Sequence, residues 1–423
     1  MAYCSRVLDD ELDELLRSLP AIAIEGAKGV GKTETASQRA ATIHRLDDSN
    51  SLALAEAAPK RILASEPPIL IDEWQYLPET WDLVRRAVDA GAEPGRFLLT
   101  GSTSPMAAGK HSGAGRIPIL RMRPMALIER LGVAGTVSLS RLLKGRREPL
   151  LGETEMGLED YTEEIVASGL PGLRGLSDRA LRIQLDGYLE RIIDRDFTEL
   201  GHEVRNPAGL RRWMTAYAAA SSTTMSFEKI RDAATGGEGD KPSKRGSAPY
   251  RNVLERLWIL DPVSAWQPTR RHLSRLSASP KHQLADPALA ARLLGATASS
   301  LLDNRPLSPP IPRDGTLLGA LFESLVTLGV RVYAQAAEAR VGHMRTFSGD
   351  REVDLIVERG DGRVVAVEVK LKQTIGDEDC RHLHWLRDRV DDDLLDAVVV
   401  TTGEHAYRRS DGIGVVPAAL LGP

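Results

Sequence analysis

The sequence predicts an α/β protein of several domains: a parallel sheet, then a mostly helical region, then a smaller α/β domain. From Ala21 to about Leu127, short apolar segments alternate with helical patterns, which indicates a parallel sheet buried on both faces. From Ile128 to about Arg313 the apolar residues recur with helical spacing and strand signals are few. After that, a long helical pattern precedes two apolar strand patterns and a helix-strand tail.

The length and composition are typical of a globular protein with more than one core. A chain of 423 residues exceeds the usual size of one domain, and we expect domains over residues 1–130, 131–310 and 311–423. The net charge of -4 excludes a global basic field, so any nucleic-acid binding has to depend on local patches. The two cysteines, Cys4 and Cys380, offer neither a disulfide framework nor zinc-ligand spacing.

The amino-terminal stretch "MAYCSRVLDDELDELL" bears on localisation. It is acidic and amphipathic and lacks the basic-then-apolar pattern of a signal peptide. No uninterrupted apolar run reaches the roughly 18 residues that a membrane span needs. These features predict a cytoplasmic protein without a membrane partner.

The first predicted strand, "AIAIE", leads directly into a glycine-rich motif. Gly26 to Thr33 fits G-x-x-x-x-G-K-[ST], in which backbone N–H groups point at phosphate oxygens at the start of a helix. Lys32 is expected to reach the β- and γ-phosphates, and the Thr33 hydroxyl is expected to bind Mg²⁺. A glycine-rich turn with a chance lysine is the alternative. The residues predicted to bind ATP in this motif are Gly26, Ala27, Lys28, Gly29, Val30, Gly31, Lys32, Thr33 and Glu34.

The second and third predicted strands, "PILIDE" and "GRFLLTGS", supply further site residues. Asp72 is predicted to hold the Mg²⁺ shell with the P-loop threonine, and Glu73 to polarise the attacking water. A plain strand-end turn is the alternative for this pair. Thr100, Ser102 and Thr103 each offer a hydroxyl for orienting water or contacting the γ-phosphate. Ser102 is counted among the nucleotide contacts, and the choice among the three stays open.

Arginines follow the third strand in "HSGAGRIPILRMRPM". One of Arg116, Arg121 and Arg123 is predicted to stabilise transition-state charge from a neighbouring subunit, as an arginine finger does. Arg116 is the preferred candidate because it lies in a glycine-rich loop. Such a role requires a homo-oligomer. A solvated or structural arginine is the alternative for each of the three.

The motifs "GAKGVGKT", "ILIDEWQ", "LTGS" and "AGRI…LRMRPM" together resemble those of prokaryotic AAA+ ATPases. Within these the chain is similar to the group whose P-loop domain is followed by a helical region and a nuclease-like domain. The resemblance is closest over residues 20–130 and looser in the middle. It implies an AAA+ sheet, ATP hydrolysis and a tendency to form oligomers.

The middle region is predicted to contain a winged-helix arrangement. Helices are expected at Leu210–Ala220, Ser226–Ala234 and Ala248–Leu257, with "LWILDPVSAW" turning into a wing strand. The third helix would carry Tyr250 and Arg251 outward towards DNA, although a module that only packs against other helices is the alternative. The residues predicted to contact phosphates are Lys241, Lys244, Arg245 and Arg251.

Two stretches in this part of the chain are predicted to lack regular structure. The polar stretch Gly236–Asn252 is predicted to be an exposed loop. The proline-rich stretch Asn304–Gly315 is predicted to be a semi-rigid linker.

The stretch "REVDLIVERGDGRVVAVEVK" predicts a hairpin with charged groups on one face. If the turn is centred on Asp361, Asp354 lies opposite Glu368 with Cβ atoms about 5 Å apart, and Lys370 shares their face. Two carboxylates so close repel, which a hard cation such as Mg²⁺ relieves. Glu323, on the preceding helix, is a further candidate ligand.

This arrangement resembles the PD-(D/E)xK nuclease superfamily. The resemblance implies catalytic roles for Asp354, Glu368 and Lys370, with Glu323, Asp354 and Glu368 as metal ligands. In the alternative, the fold survives and its carboxylates form ion pairs with Lys370 or with the nearby Arg345 and Arg351.

Two functional hypotheses follow. In the first, ATP and Mg²⁺ drive an enzyme whose nuclease-like domain cleaves a nucleic acid, with DNA preferred to RNA as the substrate. In the second, an ATP-gated regulatory protein uses a catalytically inactive nuclease-like domain to bind nucleic acid or a protein. The acidic net charge favours the second, and the complete carboxylate–lysine set favours the first.

Overall fold

A computed structural model describes residues 3–102, 114–202, 204, 206–235, 244–267, 278–303, 316–346 and 349–423, with only the backbone described for 244–248. The contacts divide the chain into two compact units. The first comprises Met1–Pro124, Leu170–Gly172 and Val253–Ile259, and the remainder of the chain forms the second. The division into three domains stays a prediction.

The first unit is built on a parallel sheet. In the described part of this unit, the sheet has five strands in the order β2-β3-β4-β1-β5. All four pairings are parallel. The strands are β1 (Ala21–Glu25), β2 (Thr42–Arg45), β3 (Ile69–Asp72), β4 (Phe97–Gly101) and β5 (Ile119–Arg121).

The three predicted strands are confirmed as β1, β3 and β4, and every residue of each is buried. Continuous burial is the pattern expected of a parallel strand covered on both faces. Strand β4 lies between β1 and β3, so the strand that carries Asp72 is not the immediate neighbour of the P-loop strand. Because the strands are parallel, their carboxyl ends meet at one edge of the sheet, which is where the motif residues lie.

Helices flank this sheet. An apolar cluster joins the sheet to them through two tryptophans, Trp74 and Trp81, whose ring centroids are 4.7 Å apart. The described α-helices of the first 124 residues are Leu8–Leu16, Lys32–Ser37, Ser49–Ala57, Lys60–Leu63 and Glu79–Asp89.

The second unit contains a mixed sheet. Within the described residues, its seven strands follow the order β12-β13-β11-β10-β9-β8-β7. A separate parallel pair joins β6 (Val137–Ser138) to β14 (Leu421–Gly422). The sheet strands are β7 (Ser264–Ala265), β8 (Arg340–Arg345), β9 (Glu352–Glu358), β10 (Val364–Lys370), β11 (Leu394–Thr401), β12 (Tyr407–Arg408) and β13 (Gly414–Pro417).

The predicted hairpin is confirmed as β9 and β10. The pairs run from Val364↔Glu358 to Val367↔Leu355, and the next pair in this register is Asp354 with Glu368. The turn is therefore centred on Asp361, whose carboxylate accepts hydrogen bonds from Arg359 and Arg363. These bonds hold the pKa of Asp361 well below its usual range.

The helices after Pro124 confirm the mainly helical middle region and the long helix before the hairpin. The helix Leu317–Ala336 packs against β8, β9 and β10, and Asp377–Val390 packs against β9, β10 and β11. The described α-helices are Leu127–Leu131, Leu139–Leu142, Leu158–Ala167, Asp178–Arg191, Phe197–Glu199, Pro207–Ala219, Phe227–Ala233, Lys244–Arg256, Pro287–Leu293, Ala298–Leu302, Leu317–Ala336 and Asp377–Val390.

Among the described residues, one helix passes a membrane-span test of length and composition, the helix Leu317–Ala336. About two thirds of its apolar window is buried inside the protein. Its apolar residues therefore have a place in the core of the second unit, where the helix covers the sheet.

The first two helices predicted for the winged-helix arrangement are present, as Pro207–Ala219 and Phe227–Ala233. The third helix, Lys244–Arg256, begins inside the stretch predicted to be an exposed loop. Bridges Leu260↔Leu284 and Val263↔Lys281 then form a short antiparallel arm at the position of the predicted wing. Lys241 and the linker Asn304–Gly315 lie outside the described residues, as do the side chains of Lys244 and Arg245.

The outward orientation predicted for Tyr250 and Arg251 is wrong. The Tyr250 ring packs edge-on against Phe197 and Trp213, with centroid distances of 6.2 and 6.4 Å. The Arg251 guanidinium lies over the Phe227 ring, 4.8 Å from its centroid. Both side chains stabilise the packing of the helical module, since an aromatic ring and a guanidinium each gain from an aromatic neighbour.

Candidate functional site

The P-loop backbone follows directly from β1. A Cβ on Gly26 would lie 2.0 Å from the Met122 carbonyl oxygen, so only glycine fits at this position. Gly29 and Gly31 have φ values of 80° and 100°, a region that other residues rarely adopt. The chain can therefore turn tightly between the strand and the helix that begins at Lys32.

The Lys32 ammonium lies inside the loop. Its Nζ donates hydrogen bonds to the carbonyl oxygens of Gly26 at 3.0 Å and Ala27 at 2.9 Å. Burial lowers the pKa of Lys32 to about 8, against the opposing effect of Glu73 and other nearby carboxylates. Lys32 is thus a desolvated cation at the centre of the predicted phosphate cradle.

Thr33 and Asp72 lie together at the edge of the sheet. The Thr33 hydroxyl donates a hydrogen bond to Asp72 Oδ1 at 2.7 Å, and the Thr100 hydroxyl donates to the same oxygen. The P-loop threonine therefore contacts the carboxyl end of β3, although β4 lies between β1 and β3 in the sheet. Hydroxyl and carboxylate oxygens are ligands that Mg²⁺ prefers, so this donor set fits a Mg²⁺ ion.

Glu73 follows Asp72 with a backbone φ of 53°, in the left-handed region. The turn brings its carboxylate to Ser102, whose hydroxyl donates to Glu73 Oε2 at 3.2 Å. The Gln75 amide donates to Glu73 Oε2 as well and to Ser102 Oγ at 3.2 Å. Sequence reasoning missed Gln75, although it stands inside the quoted motif "ILIDEWQ".

The two described strand-end hydroxyls that sequence reasoning could not separate have different partners. Thr100 contacts Asp72, whereas Ser102 contacts Glu73. Thr103 lies outside the described residues. Ser102 is therefore placed to hold the orientation of Glu73, and Thr100 to hold that of Asp72.

Arg6 is a second residue that sequence reasoning missed. Its side chain is buried and donates to the Val30 carbonyl of the P-loop at 2.8 Å and to the Arg123 carbonyl at 2.8 Å. The Arg6 backbone N–H is held by the Asp9 carboxylate at 2.7 Å. The amino-terminal segment thus supports the phosphate loop from behind, and no known spacing links a residue so far upstream to the motif.

Glu25, the last residue of β1, lies close enough to Lys32 for their charges to interact. Neither carboxylate oxygen has a hydrogen-bond partner among the described residues. Burial raises the pKa of Glu25 to about 8, although the nearby Lys32 acts in the opposite direction. An acidic residue inside the apolar run "AIAIE" was the available signal.

The remaining predicted nucleotide contacts and arginines occupy varied positions. Ala27 and Val30 are buried, Lys28 is half-buried, and the exposed Glu34 accepts a hydrogen bond from Gln38 at 3.3 Å. Arg116, the preferred candidate for the arginine finger, is exposed, and its Nε donates a hydrogen bond to Asp89 at 2.8 Å. Two alternatives are engaged within the first unit: the Arg121 guanidinium lies over the Trp258 ring, and the Arg123 carbonyl accepts from Arg6.

The second predicted site lies at the end of the β9–β10 hairpin. The Asp354 carboxylate accepts a hydrogen bond from the Val369 backbone N–H at 2.9 Å. The Lys370 ammonium donates to Glu368 Oε1 at 2.7 Å. The structure thus brings the predicted carboxylates and lysine together.

Lys281, which sequence reasoning missed, lies among these carboxylates. Its fully buried Nζ is 2.9 Å from Glu323 Oε1, 3.0 Å from Glu352 Oε1 and 3.0 Å from Asp354 Oδ1. Burial alone would lower the pKa of Lys281, but Asp354, Glu323 and Glu352 raise it well above its ordinary value. The lysine therefore stays charged and acts as the counter-ion of the cluster.

The carboxylates of this cluster differ in their electrostatics. Burial raises the pKa of Glu323 and of Glu368 to about 8, and in both cases the charge of Asp354 adds to the effect. For Asp354 burial acts in the same direction, but Lys281 and Lys370 outweigh it and leave the pKa below its usual value. The neighbouring ammonium groups therefore favour the ionised form of Asp354, whereas burial and the Asp354 charge disfavour the ionised forms of Glu323 and Glu368.

A cavity of about 760 Å³ opens beside the cluster within the second unit. Its wall combines hydroxyls, carboxylates and cations, so it suits a polar ligand. The charged side chains that line it are Lys229, Glu323, Arg345, Glu352, Asp354, Glu368 and Lys370.

The predicted Mg²⁺ site in this cluster does not fit the observed arrangement. An ammonium stands at the point where three carboxylate oxygens converge, and Glu368 is paired with Lys370. In the described part of the chain, no group of three or more His, Cys, Asp or Glu side chains is arranged to hold a metal ion. Of the alternatives, the ion pair between Glu368 and Lys370 is present, and Arg345 pairs with Glu352 at 3.1 Å.

His343 on β8 gives this unit a predicted acid sensitivity. Burial, followed by the charge of Lys281, lowers the pKa of His343 from about 6.5 to about 4, while Nε2 lies 3.0 Å from the Ser279 carbonyl oxygen. The unfolded chain binds a proton here below pH 6.5 and the folded chain does not, so stability falls as the pH drops towards 4. We expect the loss to approach about 3 kcal/mol.

Urea unfolding at pH 7 and pH 5 checks this expectation with His343→Gln, which keeps an amide donor for Ser279. The variant should lose less stability on acidification than the wild type. His405→Gln, at an exposed histidine, should behave like the wild type. Equal pH dependence of all three proteins would contradict the role of His343.

Three segments of the chain match known protein families. Residues 18–131 match the family described as AAA domain. Residues 158–300 match a domain of unknown function, DUF8612, and residues 318–421 match another, DUF4143. The first match and the P-loop geometry agree, so residues 18–131 form an AAA-type P-loop ATPase domain.

Two uncharacterized mycobacterial proteins are similar to this chain over nearly all of it. One is from Mycobacterium bovis and the other from Mycobacterium tuberculosis, and each is 26% identical over 96% of this chain and 82% of its own length. A solved structure, the Walker-type ATPase of Pyrococcus abyssi, is 16% identical with a TM-score of 0.39, over 67% of this chain and 94% of that one.

Proposed function

We propose that the chain binds ATP with Mg²⁺ and hydrolyses it at the P-loop. The observation that carries this proposal is the pair of contacts at the sheet edge, Thr33 with Asp72 and Ser102 with Glu73. A bound Mg²⁺ neutralises charge on the β- and γ-phosphates. The protein groups then divide into those that hold the nucleotide and one that acts on water.

Lys32, Thr33 and Asp72 hold the nucleotide and its metal ion. The Lys32 ammonium exchanges the carbonyl oxygens of its own loop for phosphate oxygens, which are stronger acceptors because they are charged. The Thr33 hydroxyl and the Asp72 carboxylate are the residues that would hold Mg²⁺. The backbone N–H groups of residues 26–34 complete the cradle.

Glu73 acts on the attacking water as a general base or orienting group. Its carboxylate is fixed by the Ser102 hydroxyl and the Gln75 amide, which leaves Glu73 Oε1 for a further contact. Ser102 and Gln75 are therefore positioning residues. Phosphate release from ATP by the wild type, measured beside Glu73→Gln, tests the proposal.

A neighbouring copy of the chain would complete the site with an arginine finger. Arg116 supports this role through its exposure, since its side chain reaches outward and its present partner, Asp89, is also exposed. An exposed ion pair contributes little to stability, so Arg116 can readily exchange Asp89 for a phosphate. The proposal therefore includes a homo-oligomer.

For the second unit we favour an ATP-gated binding or regulatory role over cleavage. The candidate partner is nucleic acid, with DNA before RNA, or a protein. The opposed Asp354 and Glu368 with Lys370 favour the nuclease as a second candidate. The buried ammonium of Lys281 argues against it, because that position is the one a catalytic metal ion would need.

Cleavage of plasmid and single-stranded DNA in the presence of Mg²⁺ separates the two candidates. We expect the wild type to cleave no faster than Asp354→Ala, because Lys281 neutralises the carboxylates that would bind the ion. Each protein is assayed with and without ATP. Metal-dependent cleavage by the wild type that Asp354→Ala abolishes would establish the nuclease instead.

A further inference from the structure

The Lys281 ammonium uses its full set of hydrogen atoms within the carboxylate cluster. Three carboxylate oxygens, one each from Glu323, Glu352 and Asp354, lie 2.9–3.0 Å from Nζ. An ammonium has three donors and no acceptor, so these three contacts satisfy it completely. The side chain is fully buried, and no water is needed to complete its hydrogen bonding.

The three carboxylates come from two elements, a helix and a strand, and all three lie within hydrogen-bond distance of Lys281 Nζ. Glu323 belongs to the helix Leu317–Ala336, while Glu352 and Asp354 belong to β9. The two strand residues are separated by one position and therefore share a face. Without a cation, ionised carboxylates this close to one another would repel, which makes some cation a condition for this packing.

The backbone around Lys281 is fixed to the same unit. Lys281 and Val263 exchange two backbone hydrogen bonds of 2.9 Å each, which anchors one strand of the short arm to the other. The arm continues into β7, which pairs with β8, and Arg331 forms a 2.8 Å ion pair with Asp261. The arm therefore continues the edge of the sheet, and its backbone hydrogen bonds hold Lys281 beside the cluster.

We propose that Lys281 takes the place of a divalent cation, so that the second unit contains a latent metal site which the wild-type chain keeps closed. This inference deepens the proposed binding role of the second unit and rests on it. The ammonium supplies the positive charge that the carboxylates need. It offers no empty coordination position, so it cannot bind a water or a phosphate oxygen as a metal ion does.

The proposal has a positive consequence for a variant without the ammonium. Removal of Lys281 leaves three carboxylate oxygens around one vacated position, and hard divalent cations prefer such oxygen ligands, with water completing the coordination. Ca²⁺ tolerates irregular oxygen geometry, whereas Mg²⁺ needs near-ideal octahedral geometry. Mn²⁺, which also binds carboxylate oxygens, reports its own binding by electron paramagnetic resonance.

The test compares Mn²⁺ binding and thermal unfolding of the full chain without nucleotide. We expect Lys281→Ala to bind one more Mn²⁺ than the wild type, and to regain with Mn²⁺ or Ca²⁺ the melting temperature that it loses in chelator. The double variant Lys281→Ala/Asp354→Asn should lose the additional Mn²⁺, while any ion at Thr33 and Asp72 remains. Lys372→Ala removes an exposed lysine of the same unit as the matched control.

Lys281→Gln is the second variant if Lys281→Ala does not fold, because its neutral amide keeps much of the side-chain volume. The proposal would be overturned if both variants fold but bind no additional Mn²⁺, or if neither variant folds even when a divalent cation is present. A Mn²⁺ ion in the wild type that Asp354→Asn removes would also overturn it. DNA cleavage is not measured here, so failure of the proposed binding role would appear separately as cleavage by the wild type.

Discussion

Glu73→Gln is expected to keep ATP bound while ATP turnover falls about 10²–10⁴-fold, the usual contribution of a general base. The substituted amide retains the size of the side chain and can still accept from Ser102 and Gln75, so the turn at the end of β3 keeps its contacts. It loses the negative charge that draws a proton from water. Binding of a fluorescent ATP analogue and release of phosphate measure the two effects separately.

Glu79→Gln is the matched control for this experiment. Glu79 is exposed and begins the helix that follows the same motif, so its variant makes the same chemical change away from the site. It should hydrolyse ATP like the wild type. Turnover by Glu73→Gln near the wild-type rate would remove Glu73 from its proposed role while leaving the nucleotide site itself in place.

Lys32→Ala is expected to bring nucleotide binding below detection. The ammonium is buried in the loop and is the group proposed to reach the β- and γ-phosphates. Two hydrogen bonds to charged oxygens, at about 1.5–3 kcal/mol each, correspond to a loss of at least about 100-fold in affinity. Equilibrium binding of ATP and ADP with Mg²⁺ measures this loss directly.

The unfolding temperature of Lys32→Ala without nucleotide is measured alongside its ATP binding. Lys32 donates to Gly26 and Ala27, so its removal leaves two carbonyl oxygens without these donors, and a small loss of stability is expected. Lys60→Ala, at an exposed lysine of the first unit, should bind ATP like the wild type. A folded Lys32→Ala protein with wild-type affinity would contradict the proposed ATP site.

Local sequence patterns predicted the parts of the fold that depend on neighbouring residues. The P-loop follows from glycine spacing, and the hairpin register follows from the turn at Asp361, because two adjacent strands joined by a tight turn have few alternative pairings. The opposition of Asp354 and Glu368 was predictable for the same reason. The order of the strands in the sheet was not predictable, since no residue pattern in β4 indicates that this strand lies between β1 and β3.

The missed residues depend on contacts between distant parts of the chain. Lys281 reaches Asp354 across a separation of 73 positions, and Arg6 reaches Arg123 across 117. Neither residue belongs to a motif with fixed spacing, so only the folded chain brings the groups together. The error at Tyr250 has another cause: a helix with polar and aromatic residues can bury the aromatic face against other rings, and the sequence does not mark which face meets a partner.

The position of β4 has a consequence for how the two acids are spaced. Thr100 lies on this strand and Ser102 follows its last residue, and their hydroxyls contact Asp72 and Glu73 respectively. A slip of β4 by a single residue would turn Thr100 to the other face of the sheet and would displace Ser102 as well, so both contacts would be lost. The middle strand therefore fixes the separation between Asp72, the acid proposed to hold the metal ion, and Glu73, the acid proposed to act on water.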